Sequence, residues 1–168
     1  RSRAVQGYDF QRYRELNKLL LSIQKQTFKK LMSGELGHIS NSSTNLPCKD
    51  KADLLRMFMT VSYFLISRYS AWTDTTIKGI NVGDVEFESQ NGEWVHLTSR
   101  KVRGGEKEVN TTLTDIDDLL KIKKTGFDII RDIITVREHF NISSENLLFS
   151  TTINGQVKRF AKQGKIIN

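Results

Sequence analysis

The sequence predicts an α+β domain in which helices pack on a three-stranded antiparallel meander. Two observations carry that expectation. Long proline-free stretches near the start repeat apolar residues at helical spacing, and between residues 84 and 112 the apolar period falls to two, punctuated by Asn91-Gly92 and Gly104-Gly105. Helices in one block and strands in another give α+β rather than alternating α/β. At 168 residues the chain is about one domain, long enough to bury a core.

Each element follows in order. Over residues 9–32, Phe10, Tyr13, Leu16, Leu20, Ile23, Phe28 and Leu31 recur at near-helical intervals, and Gly34 and Gly37 end the run. The stretch SNSSTNLP (40–47) reads as a loop. Asp50 or Lys51 opens a second helix through DLLRMFMTVSYFLISRY. Its apolar residues (Leu54, Leu55, Phe58, Met59, Val61, Phe64, Leu65, Ile66) cover more than one face, which predicts a central, buried helix. A short helical piece is expected at 73–79. DVEFES, EWVHLTSRK and KEVNTTL then form the meander, with Asn-Gly and Gly-Gly as hairpin turns. Asp115 or Thr114 caps a helix through IDDLLKIKK, and 127–140 is amphipathic through Phe127, Ile130, Ile133, Ile134 and Val136. LLFS reads as a short strand, Asn154-Gly155 as a turn and 157–163 as a basic helical stub. The predicted order is α–α–β–β–β–α–α–α.

Charge narrows the function. A net +7 and a pI near 9.6 favour an anionic partner, nucleic acid being the commonest. The distribution is polarised. Residues 1–33 carry eight Lys/Arg against Asp9 and Glu15, and 146–168 carry Lys158, Arg159, Lys162 and Lys165 with no acid. SRKVRGGEKEV (99–109) sets Arg100, Lys101, Arg103 and Lys107 around the Gly pair, either as a solvated hairpin tip or as a phosphate contact. No apolar run approaches the ~20 residues of a membrane span, and the basic start is not followed by a signal-type apolar core. A single cysteine, Cys48, suits a reducing intracellular compartment, nucleus or cytoplasm, so the sequons at Asn41, Asn110 and Asn141 are read as chance.

Other chemistry is weaker. His38, His96 and His139 are scattered without Cys or acidic partners at ligand spacing, so no metal site is expected. His96 shares a strand face with Trp94 and Thr98, away from Val95 and Leu97, and is read as structural. Trp72 and Trp94 are read as core rather than as stacking platforms. The Gly104-Gly105 pair lacks the G-x-x-x-x-G-K-[ST] pattern, so no nucleotide cofactor is expected.

The order and motifs together resemble the N-terminal half of the catalytic domain of tyrosine recombinases, the phage-integrase family. RSRAVQGYDFQRYRELNKLL resembles that family's basic linker and first catalytic-domain helix. YFLISRYSAWTDTTIKGINVGDVEF is similar to its apolar helix, Gly-x-Arg turn and Asp-Val entry to a strand. GEWVHLTSRKVRGGEKEVNTTLTDI resembles the hairpin bearing its catalytic lysine. LLFSTTINGQVKRF resembles the stretch before its His-x-x-Arg helix. The resemblance implies a single recombinase-like DNA-binding domain over 1–168, with double-stranded DNA as partner, and Lys101 at the catalytic-lysine position. It implies phosphate contacts through Arg100, Lys101, Arg103, Lys107, Lys158, Arg159, Arg1 and Arg3. Self-association or a partner protein stays open, as does the chain's being a fragment of a longer one.

The departures bear on catalysis. The family register puts Thr73 where the first catalytic arginine stands and Thr76 where an acid is usual, and Arg68 comes five positions too early. There is no His-x-x-Arg, and Tyr8, Tyr13, Tyr63 and Tyr69 all precede residue 70, so no C-terminal nucleophile is present. Whether the chain is an enzyme is thus open. The leading expectation is a DNA-binding domain with a degenerate recombinase-like fold, itself unable to cut DNA. The alternatives are the N-terminal part of an active recombinase whose His-x-x-Arg and tyrosine lie beyond this sequence, and an interaction module for an acidic protein.

Overall fold

The computed structural model describes residues 3–35, 37–40, 45–48, 50–89, 94–101, 107–114, 126–142, 147–153 and 156–159. Helix α1 (Arg3–Ser33) is followed by strands β1 (Gly37–Ser40) and β2 (Asn45–Cys48), then helices α2 (Lys51–Ser70) and α3 (Asp74–Lys78). A 3-10 turn at Val82–Asp84 leads into β3 (Val85–Glu88), β4 (Trp94–Lys101) and β5 (Lys107–Thr114). Helix α4 (Gly126–His139) and strands β6 (Ser150–Ile153) and β7 (Gln156–Arg159) complete the order. The class is α+β, with four helices and a three-stranded antiparallel sheet among the described residues.

The long helices form as their apolar spacing requires. In α1 the stop comes at Gly34, whose φ of +75° is a left-handed conformation that glycine adopts without steric cost. Of the two possible starts for α2, Asp50 is the N-cap, its Oδ1 accepting the Asp53 amide at 2.8 Å. Helix α2 buries Leu54, Leu55, Phe58, Met59, Val61, Ser62, Tyr63, Leu65 and Ile66. It is the central element, packed against α1, α3, α4, β5 and β6. Burying a Phe or Leu side chain stabilises by about 1.5–3 kcal/mol, so α2 supplies much of the drive to fold. Helix α4 presents Phe127, Ile129, Ile130, Ile133 and Val136 to the same core. Its C-terminus is closed from within by buried Arg137, whose Nη2 donates to the Ile142 carbonyl at 2.7 Å and Nη1 to the Leu148 carbonyl at 3.4 Å.

The meander β3–β4–β5 has the expected topology, with Val85 opposite Leu97 and Val95 opposite Leu113. Val95, Leu97 and Leu113 are buried against the helices, while Glu86, Glu88, Glu108, Asn110 and Thr112 lie exposed on the outer face. His96 and Thr98 share that outer row as expected, and Trp94 is half-buried in it rather than in the core. Trp72 does pack against the core.

Three expectations are corrected. Residues 40–47 are not simply a loop, because Gly37–Ser40 pairs with Asn45–Cys48. Pro47, opposite His38, is tolerated because a two-stranded ribbon leaves alternate amides unpaired. Residues 157–159 are strand β7 rather than helix, paired with β6 so that Ile153 meets Gln156 and Ser150 meets Arg159. The β-branched run Thr151-Thr152-Ile153 and Val157 favours that ribbon over a helical stub. The strand expected at LLFS begins only at its last residue. Leu147 makes a lone bridge to Asn81, and the Leu148 amide donates to the Ile80 carbonyl at 2.9 Å. The helix expected over 115–124 and the Asn91-Gly92, Gly104-Gly105 and Asn154-Gly155 turns lie outside the described residues.

Candidate nucleic-acid interface

The strand register sorts the hairpin cations. Strands alternate faces with period two, so residue 101 falls in the row of Val95, Leu97 and Ser99, and residue 100 in the row of His96 and Thr98. The β4–β5 register sets Lys101 directly across from Lys107 and Arg100 directly across from Glu108. One pair is like-charged and the other is opposite. The row of Lys101 and Lys107 contains no acid on any of the three strands, whereas the row of Arg100 also holds Glu86 and Glu88. A cluster that looks uniform in sequence is therefore divided by the pleat. Arg103 lies outside the described residues.

The strand end carrying Lys101 is tied to helix α3. Ser99 is buried and its Oγ donates to the Thr76 carbonyl at 2.5 Å. Thr76 also pairs its hydroxyl with that of Thr73 at 2.9 Å. The two positions that the family pattern fills with arginine and acid thus hold a hydroxyl pair, tied to β4 at Ser99, two residues before Lys101. Such a pair offers no fixed positive charge to a phosphate.

Neighbouring polar groups are committed elsewhere. Arg68 donates from Nε to Asn17 Oδ1 and stacks on the Tyr13 ring, 4.3 Å from its centroid, joining α2 to α1. It is thereby turned to a structural contact rather than to α3. Tyr63 is fully buried, its hydroxyl donates to Asp74 Oδ1, and Lys78 Nζ binds Asp74 Oδ2 at 3.0 Å. Burial first, then the Asp74 hydrogen bond and charge, push the Tyr63 phenol well above its ordinary value. A buried phenol held neutral is a poor nucleophile. Tyr13 is half-buried, with its hydroxyl 3.5 Å from the Arg68 carbonyl.

His96 links three strands on the outer face, with Nδ1 2.9 Å from Thr112 Oγ1 and Nε2 3.0 Å from Glu88 Oε2. Among the described residues no group of three His, Cys, Asp or Glu side chains is placed to hold a metal. No described helix is long and apolar enough to cross a membrane.

The remaining predicted cations do not gather at the hairpin by any described contact. Lys158 and Arg159 lie on β7, in register with Thr151 and Ser150. Arg3 begins α1, and Arg1 lies outside the described residues. What the sequence reading missed is on α1 itself. There the structure exposes Arg14 together with Lys18, Lys25 and Lys29. Their spacing of four, seven and four residues was the available signal. Comparison with protein-family models, curated proteins and solved structures finds no match for this chain.

Proposed function

We propose that this chain is a DNA-binding domain with a degenerate tyrosine-recombinase-like arrangement, holding duplex DNA through its phosphates without cutting it. The observation that carries the reading is the Lys101–Lys107 pair. Like charges directly opposite across a hairpin are destabilising, and no acid in their row offsets them. A phosphate between them would turn that cost into a contact. The absence of cleavage follows from the chemistry. Phosphodiester transfer needs a nucleophile and paired cations on the pentavalent phosphate. Here Thr73 and Thr76 bond each other, Arg68 is engaged on α1, and Tyr63 is buried and protonated.

The test is duplex binding against salt concentration. Each phosphate contact releases condensed counterions, so losing one flattens the slope of log K against log[salt] by ~0.9. Lys101→Ala with Arg103→Ala is expected to weaken binding, flatten the slope, and do so equally for unrelated sequences. If the double variant matches the parent in affinity and slope, the hairpin is a solvated tip. If the parent binds no duplex even at low salt, an acidic protein partner becomes the better reading.

A further inference from the structure

The longest helix carries a cationic feature that the hairpin reading does not use. Helix α1 turns 3.6 residues per turn, about 100° per residue, and rises about 1.5 Å per residue. On that geometry Arg14, Lys18, Lys25 and Lys29 fall within an arc of about 60° and span about 22 Å along the axis. All four are exposed. None is in an ion pair among the described residues, and, over residues 11–33, the exposed acid Glu15 takes a hydrogen bond from Gln11 at 3.4 Å. The opposite side of the helix is spent on the core through Asn17, Ile23, Gln24, Thr27 and Leu31, and Gln24 Nε2 reaches Asp132 on α4 at 3.1 Å. The row is therefore held rigid from behind while its charges face water.

We propose that this row of α1 is a second phosphate-tracking surface for duplex DNA, separate from the β4–β5 hairpin. Charge complementarity supports the assignment. Four cations sharing one arc, with Glu15 beside Arg14 but outside that arc, match a linear polyanion better than they match a globular partner of mixed charge. The geometry also disfavours a membrane surface. A helix lying in a bilayer interface must offer an exposed apolar face beside its cations, whereas here the apolar face is packed against α2 and α4 and, over residues 11–33, only Leu16 is a large exposed apolar residue. Arginine and lysine in such a row fix position on the backbone and read no bases. The row rests on the same partner class as the reading above but not on its residues, so the two fall together only if the chain binds no duplex.

The experiment measures binding of a fluorescent random-sequence duplex, about three helical turns long, across a salt series. Four proteins are compared: the parent, Lys18→Gln/Lys25→Gln/Lys29→Gln, Lys101→Ala/Arg103→Ala, and all five changes together. Three lost contacts are expected to lower the salt slope by ~2.7, in the parent and in the hairpin-variant background alike. Lys18→Arg/Lys25→Arg/Lys29→Arg should keep the parent slope, which separates loss of charge from any loss of fold, and circular dichroism checks the helix directly. The proposal is overturned if the glutamine variant keeps the parent's affinity and slope. It is equally overturned if the arginine variant loses binding as the glutamine variant does. Loss confined to vesicles of phosphatidylcholine and phosphatidylserine in equal parts, with duplex binding unchanged, would assign the row to membranes instead. A parent that binds no duplex removes both readings. A slope that falls for the α1 variant but not for the hairpin variant leaves α1 standing alone.

Discussion

The contact between Gly79 and Ser99 gives a stability prediction that tests how the hairpin strand is anchored. Ser99 Oγ donates to the Thr76 carbonyl at 2.5 Å, and the Gly79 amide reaches the same carbonyl at 3.2 Å. Ser99→Ala therefore removes one bond without leaving that carbonyl unpaired, and should cost about 0.5–1.5 kcal/mol rather than a full desolvation penalty. Gly79 has φ −84° and ψ −5°, a conformation alanine adopts freely. Gly79→Ala by itself would then stabilise by about 0.4–1 kcal/mol through the unfolded chain. The new Cβ, however, would stand 3.1 Å from Ser99 Oγ, and that oxygen is held by its hydrogen bond. Crowding of this kind costs about 1–3 kcal/mol, so Gly79→Ala should destabilise the parent. In the Ser99→Ala background the obstructing oxygen is gone, and the same change should stabilise. Urea unfolding of the four proteins followed by far-UV circular dichroism, with equal m-values, gives the coupling directly. A coupling of about 1 kcal/mol or more is expected. If Gly79→Ala costs the same in both backgrounds, the α3–β4 contact is not as described and the anchoring of Lys101 through Ser99 fails.

Two further outcomes are expected. Because the folded chain holds the Tyr63 proton more tightly than the unfolded chain does, stability is intact below the unfolded phenol's pKa of about 10 and falls above it. The slope contributed is at most about 1.4 kcal/mol per pH unit, and it should vanish in Tyr63→Phe when urea midpoints of the two proteins are compared from pH 9 upward. Parallel curves would mean that Tyr63 ionises as freely folded as unfolded. Incubation with a nicked suicide duplex, followed by denaturing electrophoresis, should show no covalent protein–DNA band, and a band that survives Tyr63→Phe would locate a nucleophile elsewhere in the chain.

How much of this was legible in the sequence follows from which interactions are local. Helix α2 was readable because its apolar residues exceed one face, and the meander because alternation and an Asn-Gly turn both act within a few residues. The ribbon β1–β2 was not, since its polar residues and Pro47 carry loop chemistry and only pairing between segments makes them strands. Strand β7 was missed for a related reason, as its Lys158 and Arg159 fit a helical stub equally well until β6 supplies hydrogen bonds. At the candidate interface, the identities of Lys101 and Thr73 were visible, but their surroundings were not. The Ser99–Thr76 bond and the Arg68–Asn17 bond join residues far apart in sequence, and no periodicity encodes such contacts. The α1 row was encoded locally and was overlooked because charge was counted along the chain rather than around the helix.

That distinction between counting and placing charge bears directly on the proposed DNA contact. The net charge of +7 suggests a diffuse attraction, yet the sheet's outer face carries exposed Glu86, Glu88 and Glu108. Arg100 stands opposite Glu108 in the ladder register, so an acid occupies the position across from that cation. His96 is bonded to Glu88 and Thr112, so it too serves the strands and not a ligand. A phosphate backbone brought to this face would meet three carboxylates, at a cost that salt screening relieves only beyond about 8–10 Å. Among the described residues, Lys101 and Lys107 share a sheet row that holds no acid, and Arg14, Lys18, Lys25 and Lys29 share an arc of α1, a helix that packs on α2 and α4. Among the described residues, the pleat of β4 and the turn of α1 thus each gather cations into one row, an arrangement that the same net charge scattered evenly would not give.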